Sequence, residues 1–272
     1  MMEKYFSSPH EFKVLQERPH LHYQVGVTPE KVEVRRSLID EEMQEKLKAM
    51  PKEYQPHTPI GPDLKWRYFW RIGPRPSNTR FQELNAEPVI PNGFPEWKET
   101  MDSWGYKMIS AIQAPHLLAP TGSDLQKYGQ ERTVLAGYQY DLNFLTIHGR
   151  SRFPGLNIWL RNGQKVEVKV IVGCLLIQTG KQIEWVTGGD CIAGMYEVVG
   201  TNRTADAIRL AKEQKRSLWR VSSTLFAHIA SDAVLKPLGQ FVESPLASKY
   251  LPICAGEYVE QELAVINLKG KK

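Results

Sequence analysis

The stretch "VLAGYQYDLNFLTIHG", residues 134–149, reads as an apolar strand that carries one carboxylate, Asp141. A histidine two residues before that Asp would lie on the same face of the strand and complete a pair of metal ligands. The sequence has Gln139 at that position instead. The stretch is therefore a metal-binding strand, the remains of one, or an ordinary strand with one Asp.

Downstream of residue 133 the sequence consists largely of short strand-like apolar runs, as in a β-protein. The strand-like runs are RTVLAGYQYDLNFLTI, GLNIWLR, KVEVKVIVG, CLLIQTG, CIAGMYEVVG and WRVSSTLFAHI. Gly, Asn-Gly and Gly-Gly turn signals separate these runs, and Asn162-Gly163 suits a type I′ hairpin turn. One helix, TADAIRLAKEQKRS, interrupts the set, with Thr204 as its predicted cap. Many short strands at close spacing predict a sandwich or jelly-roll barrel.

Residues 1 to about 115 are richer in proline, charge and aromatic residues, and they carry helix signals. "SLIDEEMQEKLKAMP" predicts a helix capped by Ser37. "PEWKETMDSWGYKMISAIQ" predicts a helix beginning at Pro95. Between these helices, "YQPHTPIGPDLKW" and "RIGPRPSNTR" read as loops. The second helix has one apolar face, made of residues spaced three and four apart: Trp97, Met101, Trp104, Met108 and Ile112.

The bulk composition excludes several classes of protein. The 272 residues carry a net charge of +5, but the basic residues are scattered, so no nucleic-acid partner is expected. Three dispersed cysteines indicate neither a disulfide framework nor a zinc site. No apolar run is long enough to span a membrane, and the N-terminus lacks the layout of a signal peptide. We expect a soluble cytoplasmic protein.

Two polar residues on an otherwise apolar strand mark a candidate ligand site. Arg220 and Ser222 are two residues apart in "LWRVSSTLF", so they share one face of the strand. A buried guanidinium needs an anionic partner. A ligand carboxylate could supply it through paired hydrogen bonds, and so could an internal Asp or Glu. The composition favours neither reading over the other.

Five segments in order resemble the non-haem Fe(II)/2-oxoglutarate oxygenases, in the branch with isopenicillin N synthase and the plant 2-oxoglutarate dioxygenases. They are Asp141 with "NFLTI", then "FPGLNIWLRNG", "QTGKQIEWVTGG", "MYEVV" and "WRVSS". The resemblance covers about residues 133–230. It implies an α+β fold, with a double-stranded β-helix (jelly-roll) core at residues 116–272 and flanking N-terminal helices at residues 1–115.

The resemblance also implies the site residues and the cofactors. The family holds Fe(II) with two histidines and one aspartate, and it binds 2-oxoglutarate with an Arg-x-Ser pair. Here the aspartate corresponds to Asp141, and the pair corresponds to Arg220 and Ser222. The two histidine positions hold Gln139 and Tyr196. An amide and a neutral phenol are poor Fe(II) ligands, so metal binding is expected to be impaired or lost, and no catalytic residue is assigned.

Two further features bear on function. His148 lies seven residues after Asp141, which places it on the opposite face of a continuous strand and predicts a structural role. The N-terminal region looks truncated relative to the family, notably where Gln113 runs directly into Ala114-Pro115. This predicts either modest stability or a protein partner that covers that side. Three hypotheses stay open. They are an oxygenase acting on a small organic substrate, a pseudoenzyme that binds a small carboxylate or a protein, and a paralogue whose fold persists without a function.

Overall fold

The computed structural model of the chain describes residues 1–109 and 116–270. No helix in this part of the chain is long and apolar enough to cross a membrane. The strands in it are β1 (Gly26–Thr28), β2 (Trp66–Ile72), β3 (His116–Asp124), β4 (Val134–Gln139), β5 (Leu145–His148), β6 (Leu156–Trp159), β7 (Lys165–Glu167), β8 (Leu176–Thr179), β9 (Met195–Val199), β10 (Trp219–Ala227), β11 (Val234–Leu235) and β12 (Ile253–Cys254). The α-helices are α1 (Met2–Phe6), α2 (His10–Val14), α3 (Glu41–Ala49), α4 (Trp97–Ile109), α5 (Leu125–Tyr128), α6 (Lys181–Val186), α7 (Asn202–Glu213) and α8 (Ala255–Val265).

Two antiparallel sheets form the centre of the molecule. The larger has the order β1-β2-β3-β10-β5-β8, and the smaller has the order β4-β9-β6-β7. Strands β11 and β12 pair separately. Residues of both large sheets line one cavity of about 720 Å³. This α+β arrangement confirms the predicted jelly-roll core with flanking helices.

Strand β10 shows how the sequence decides which side chains reach the cavity. Arg220 and Ser222 line it. Leu225 and Val221 instead belong to the apolar core on the other side of the sheet, where α1 and α4 also pack. Because side chains alternate along a strand, one face of the sheet is polar and faces the cavity, while the other is apolar and faces the helices.

Strand β2 does not stand out in the sequence, where the segments on either side of it read as loops. It follows the same alternation, with Arg67 and Phe69 in the cavity wall and Trp66, Tyr68 and Trp70 in the helix-covered core. Together β1 and β2 extend the larger sheet beyond β3. The N-terminal region is therefore not only helical, because it contributes two strands to the core. The domain boundary between residues 115 and 116 stays a prediction.

Helix α4 buries most of its predicted apolar face. Trp97, Met101 and Met108 are buried in the core, while Trp104 is 41% exposed. The helix begins at Trp97 rather than at Pro95. Ile112 and the junction of residues 113–115 lie outside the described residues. A protein partner on this side of the molecule stays a prediction.

Two predicted helix caps are wrong by a few residues. Helix α3 is capped by Asp40, whose side chain accepts a hydrogen bond from the Met43 amide, and Ser37 lies in a preceding 3-10 turn. Helix α7 is capped by Thr201, and Thr204 completes a reciprocal capping box with it. In both cases another suitable cap residue lies three residues from the predicted one, so the residue type alone could not decide between them.

The hairpin between β6 and β7 is present, but its turn is not type I′. Of its two predicted central residues, only Gly163 has a positive φ, at 82°, whereas a type I′ turn requires two. The Gly163 amide donates to the Leu160 carbonyl at 2.9 Å and closes the turn.

A buried carboxylate fastens the segment before β2 to the smaller sheet. Glu197 on β9 is fully buried and accepts hydrogen bonds from the His57 amide at 3.0 Å and from Lys165 Nζ at 2.6 Å. The His57 ring lies 3.0 Å from the same carboxylate. These bonds hold residues near 57 on the outer face of the smaller sheet.

Candidate functional site

Arg220 places a buried cation in the cavity wall. The residue is 7% exposed, and in the described part of the chain no carboxylate forms an ion pair with it. Its Nε has no hydrogen-bond acceptor there either. Burial lowers the pKa of the guanidinium to about 10, so it remains charged at neutral pH. The internal acid that could have paired with Arg220 is thus absent from residues 1–109 and 116–270.

Ser222 lies beside Arg220 on the same face of β10 and forms a hydroxyl pair with the neighbouring strand. Its Oγ is 2.7 Å from Thr121 Oγ1 on β3. One hydroxyl donates to the other, so the accepting hydroxyl keeps its proton for a further acceptor. Arg220 and this pair therefore offer hydrogen-bond donors on one wall of the cavity.

The side chains of Gln139, Asp141 and Tyr196 meet in the structure. Gln139 and Tyr196 are register partners on β4 and β9. The Tyr196 hydroxyl donates to Asp141 Oδ1 at 2.9 Å, and Gln139 Nε2 donates to that hydroxyl at 2.7 Å. The hydroxyl proton thus points to Asp141, and the amide nitrogen, which carries hydrogens, points to the hydroxyl oxygen. The three side chains form a hydrogen-bond relay.

Both oxygens of Asp141 have donors within the protein. Thr146 Oγ1 donates to Oδ2 at 2.7 Å, opposite the bond from Tyr196 to Oδ1. Burial, and next the neighbouring Asp141 charge, raise the pKa of the Tyr196 hydroxyl well above its ordinary value. The phenol is therefore protonated at neutral pH. The phenol directs its hydrogen at Asp141, and its oxygen already accepts a hydrogen bond from the Gln139 NH₂ group, which itself has no lone pair to offer. This set of groups does not fit Fe(II).

His148 lies in the same cavity, so the prediction that it points to the opposite face is wrong. The predicted strand is broken, because β4 ends at Gln139 in the smaller sheet and β5 begins at Leu145 in the larger one. The number of residues between Asp141 and His148 therefore does not determine which way the His148 side chain points. The His148 ring meets the Tyr196 ring edge-on at 5.9 Å between centroids. Its Nε2 is buried and has no hydrogen-bond partner in the described part of the chain.

The protonation state of His148 follows from its surroundings. Burial, and to a lesser degree the charge of Arg220, lower the pKa of the imidazole, and Asp141 opposes this. The ring is therefore neutral at pH 7. It can accept or donate one hydrogen bond at the unpartnered nitrogen, depending on its tautomer.

The described residues contain one group of three side chains with the ligand types and spacing of a metal site, and it lies elsewhere. His22, Glu83 and Glu260 bring their ligand atoms within 4.8 Å of one another. However, His22 Nδ1 accepts a hydrogen bond from the Gly270 amide at 2.9 Å. In a neutral ring the proton is then on Nε2, which removes the lone pair that a metal would need.

Solved structures with the same architecture identify the fold. A protein assigned to the 2OG-Fe(II) oxygenase family, from Caulobacter crescentus, superposes with a TM-score of 0.68 and 21% identity over 96% of this chain and 82% of its own. A full-length Neurospora crassa protein, solved in complex with alpha-KG, gives a TM-score of 0.66 and 15% identity over 96% and 79%. This chain has the 2-oxoglutarate oxygenase fold.

A third 2-oxoglutarate oxygenase-fold structure extends the likeness over the whole chain. JOX2, solved in complex with 2OG, Fe and JA, has a TM-score of 0.64 and 14% identity over 100% of this chain and 73% of its own. No protein-family model and no curated protein matches the sequence. The likeness to these oxygenases is therefore one of fold.

Proposed function

We propose that this protein binds a small carboxylate, 2-oxoglutarate or a close analogue, at Arg220 and Ser222, and that it lacks iron-dependent oxygenase activity. The observation that carries the proposal is the relay in which Tyr196 donates to Asp141 and accepts from Gln139. By the resemblance of the sequence, Gln139 and Tyr196 correspond to the two histidine ligands of the family, and in this relay both act as hydrogen-bond donors. The protein is thus a pseudoenzyme of the 2-oxoglutarate oxygenase fold.

The Arg220 wall supports carboxylate binding. A guanidinium that is buried without an anion is costly, and a carboxylate satisfies it with two parallel hydrogen bonds. The Ser222–Thr121 pair adds a hydroxyl donor beside it. The Neurospora crassa protein and JOX2 were captured with alpha-KG and 2OG respectively, which makes 2-oxoglutarate the first ligand to test.

The ligand positions argue against Fe(II). The Tyr196 hydroxyl would have to lose its proton in a buried site beside the Asp141 carboxylate, which opposes a second negative charge. Gln139 would have to turn its amide so that the oxygen replaces the nitrogen, and this would break its bond to Tyr196. Both changes remove existing hydrogen bonds before any metal bond forms.

Calorimetric titration with 2-oxoglutarate in the presence of EDTA tests the proposal directly. We expect metal-independent binding that Arg220→Gln weakens by about 10-fold to 100-fold, the range for loss of a charge-assisted hydrogen bond. Arg203→Gln is the matched control, because Arg203 also lines the cavity but is about half exposed and pairs with Glu167. Equal loss in both variants would contradict the assignment of Arg220.

An anaerobic Fe(II) titration followed by a succinate assay tests the proposed lack of iron-dependent oxygenase activity. We expect no saturable Fe(II) binding in the micromolar range and no succinate release above that of a heat-denatured sample. Succinate formation that depends on added iron would overturn the pseudoenzyme proposal and leave the carboxylate site intact.

A further inference from the structure

We propose that the cavity has a second anion-binding subsite at Arg67, so that its ligand is a dianion with one acidic group at Arg220 and the other at Arg67. This inference rests on the proposed carboxylate site at Arg220 and specifies where the second acidic group of the ligand binds. The ligand is then a linear dicarboxylate, as 2-oxoglutarate is, or a carboxylate that also carries a phosphate.

The strand register places Arg67 on the same cavity wall as Arg220. Thr121 on β3 is the direct partner of Ser222 on one side and of Arg67 on the other. Directly paired residues of neighbouring strands point to the same face of a sheet. Ser222, Thr121 and Arg67 therefore form one row across three strands, and all three line the cavity.

The two guanidiniums are set apart along this wall. In the strand register Arg220 lies opposite Ser123 of β3, two residues along that strand from Thr121. Arg67 is thus displaced from Arg220 by two strands and two residues, which in an ideal sheet corresponds to about 12 Å between their Cα atoms. Both side chains are long, so one small molecule can reach both. The Thr121–Ser222 hydroxyl pair lies between them.

Arg67 belongs to a buried ionic cluster that lacks one negative charge. Its cations are Arg35, Lys65 and Arg67, and its anions are Glu33 and Asp63. Asp63 already serves both Arg35 and Lys65, and Glu33 already serves both Lys65 and Arg67. Three positive charges against two negative charges leave an excess of one among the described residues of the cluster.

The charge states behind this count follow from the contacts. Although burial raises the pKa of Asp63, Lys65 and Arg35 lower it below the ordinary value, so the carboxylate is ionised. Glu33 Oε2 lies 2.9 Å from Arg67 Nη1, as in a formed ion pair. Buried charges are normally paired. The excess positive charge is therefore a reason for an anion to enter from the cavity side.

Arg67 also keeps unused donor capacity. The residue is 8% exposed, and its Nε has no hydrogen-bond acceptor in the described part of the chain. Its guanidinium lies 4.4 Å from the centroid of the Phe69 ring, which supports it from one side. Glu33 occupies only one of its terminal nitrogens. The Arg67 guanidinium can thus donate to a second acceptor without breaking its present ion pair.

Competition between a dicarboxylate and its isosteric monoamide tests the second subsite. The probes are glutarate and adipate, each compared with its monoamide, and affinities are measured by calorimetry at one fixed salt concentration. The monoamide keeps the size of the acid but removes one charge. We expect the wild-type protein to prefer at least one dicarboxylate over its monoamide by about 10-fold or more. Equal affinities in both pairs would overturn the inference.

Substitutions show which arginine causes the preference for the dicarboxylate over its monoamide. Arg67→Gln should reduce dicarboxylate affinity to that of the monoamide and leave monoamide affinity unchanged, whereas Arg220→Gln should weaken both ligands. Arg71→Gln is the matched control. Arg71 is also on β2 and its Nε has no partner among the described residues, but it lines a different, small pocket. A preference that survives Arg67→Gln would overturn the subsite.

Two further outcomes complete the test. If Arg67→Gln does not fold, Glu33→Gln replaces it. Removing this carboxylate frees Arg67 and should strengthen the preference for the dicarboxylate, and an unchanged or weaker preference would count against the subsite. If neither ligand binds the wild-type protein, the carboxylate site at Arg220 itself is wrong. If both bind equally and binding depends on Arg220, only the second subsite is wrong.

Discussion

Replacing Tyr196 with phenylalanine is the sharpest test of the hydrogen-bond relay. The substitution removes one hydroxyl and keeps the ring and its edge contact with His148. It leaves Asp141 Oδ1 without its donor and Gln139 Nε2 without its acceptor. A hydrogen bond to a charged group contributes about 1.5–3 kcal/mol, and a neutral one contributes about 1 kcal/mol.

The expected loss is smaller than the sum of these contributions, because the cavity adjoins the relay and water can enter it. A bridging water recovers much of the enthalpy of a lost bond at a modest entropic cost. We therefore expect Tyr196→Phe to lower the free energy of unfolding by about 2 kcal/mol. In a chain of this size such a loss corresponds to a fall of about 3–4 °C in the melting temperature.

Chemical denaturation followed by tryptophan fluorescence measures this change. Tyr258→Phe is the matched control, because Tyr258 is also buried but its hydroxyl has no hydrogen-bond partner among the described residues. Removing an unsatisfied hydroxyl should leave the stability unchanged or raise it. If the two variants change the stability equally, Tyr196 is not bonded to Asp141, and its hydroxyl is available to a metal.

Three other predictions follow from the described contacts. The double variant Gln139→His with Tyr196→His should bind Fe(II) at least about 10-fold more tightly than the wild-type protein in an anaerobic titration, and no gain would place the defect outside these two positions. Gly122→Ala should cost about 1–3 kcal/mol by overpacking, because an added Cβ would lie 2.6 Å from the Phe6 ring, and a neutral result in denaturation would contradict the close packing of α1. Although burial raises the pKa of Glu197, hydrogen bonds from the neighbouring imidazole and ammonium groups lower it below its ordinary value. Its contribution to stability is therefore present above the unfolded pKa of about 4.3 and is lost as the pH falls through the lower folded value. The stability difference between the wild-type protein and Glu197→Gln should shrink between pH 7 and pH 3, and a constant difference would argue against the ion pairs.

The side chains of Gln139, Asp141 and Tyr196 meet in the structure, and the sequence marks these three as candidate site residues through its resemblance to the oxygenase motifs. It did not predict His148, because the strand that carries Asp141 ends before β5 begins and the two parts enter different sheets. Strand assignment by periodicity cannot detect a change of sheet inside one apolar run. Only the loop-like residues around Asn143, which bonds to the Leu145 carbonyl, could have indicated the break.

Arg67 was missed for a different reason. The segment WRYFWRI is bounded by proline-rich loops and holds two arginines, so it did not read as a core strand. Its alternation nevertheless has period two, with Trp66, Tyr68 and Trp70 on the side opposite to Arg67. Arginines at alternate positions of such an aromatic run indicate that this face of the strand borders a polar environment, because the other face packs against the apolar core.

The electrostatics of the cavity connect the relay with the two arginines. A carboxylate that ligates a dication is neutralised by the metal, whereas Asp141 is stabilised here by the hydroxyls of Tyr196 and Thr146, which carry no net charge. Each oxygen of the buried Asp141 side chain therefore has a hydrogen-bond partner that is not a metal. The same cavity holds Arg220, which no carboxylate of the described chain neutralises, and the cluster around Arg67 with its one excess positive charge. A dication would add to that excess, whereas a bound anion would reduce it. Under the proposed function, the cavity is therefore organised around an anion rather than around a metal ion.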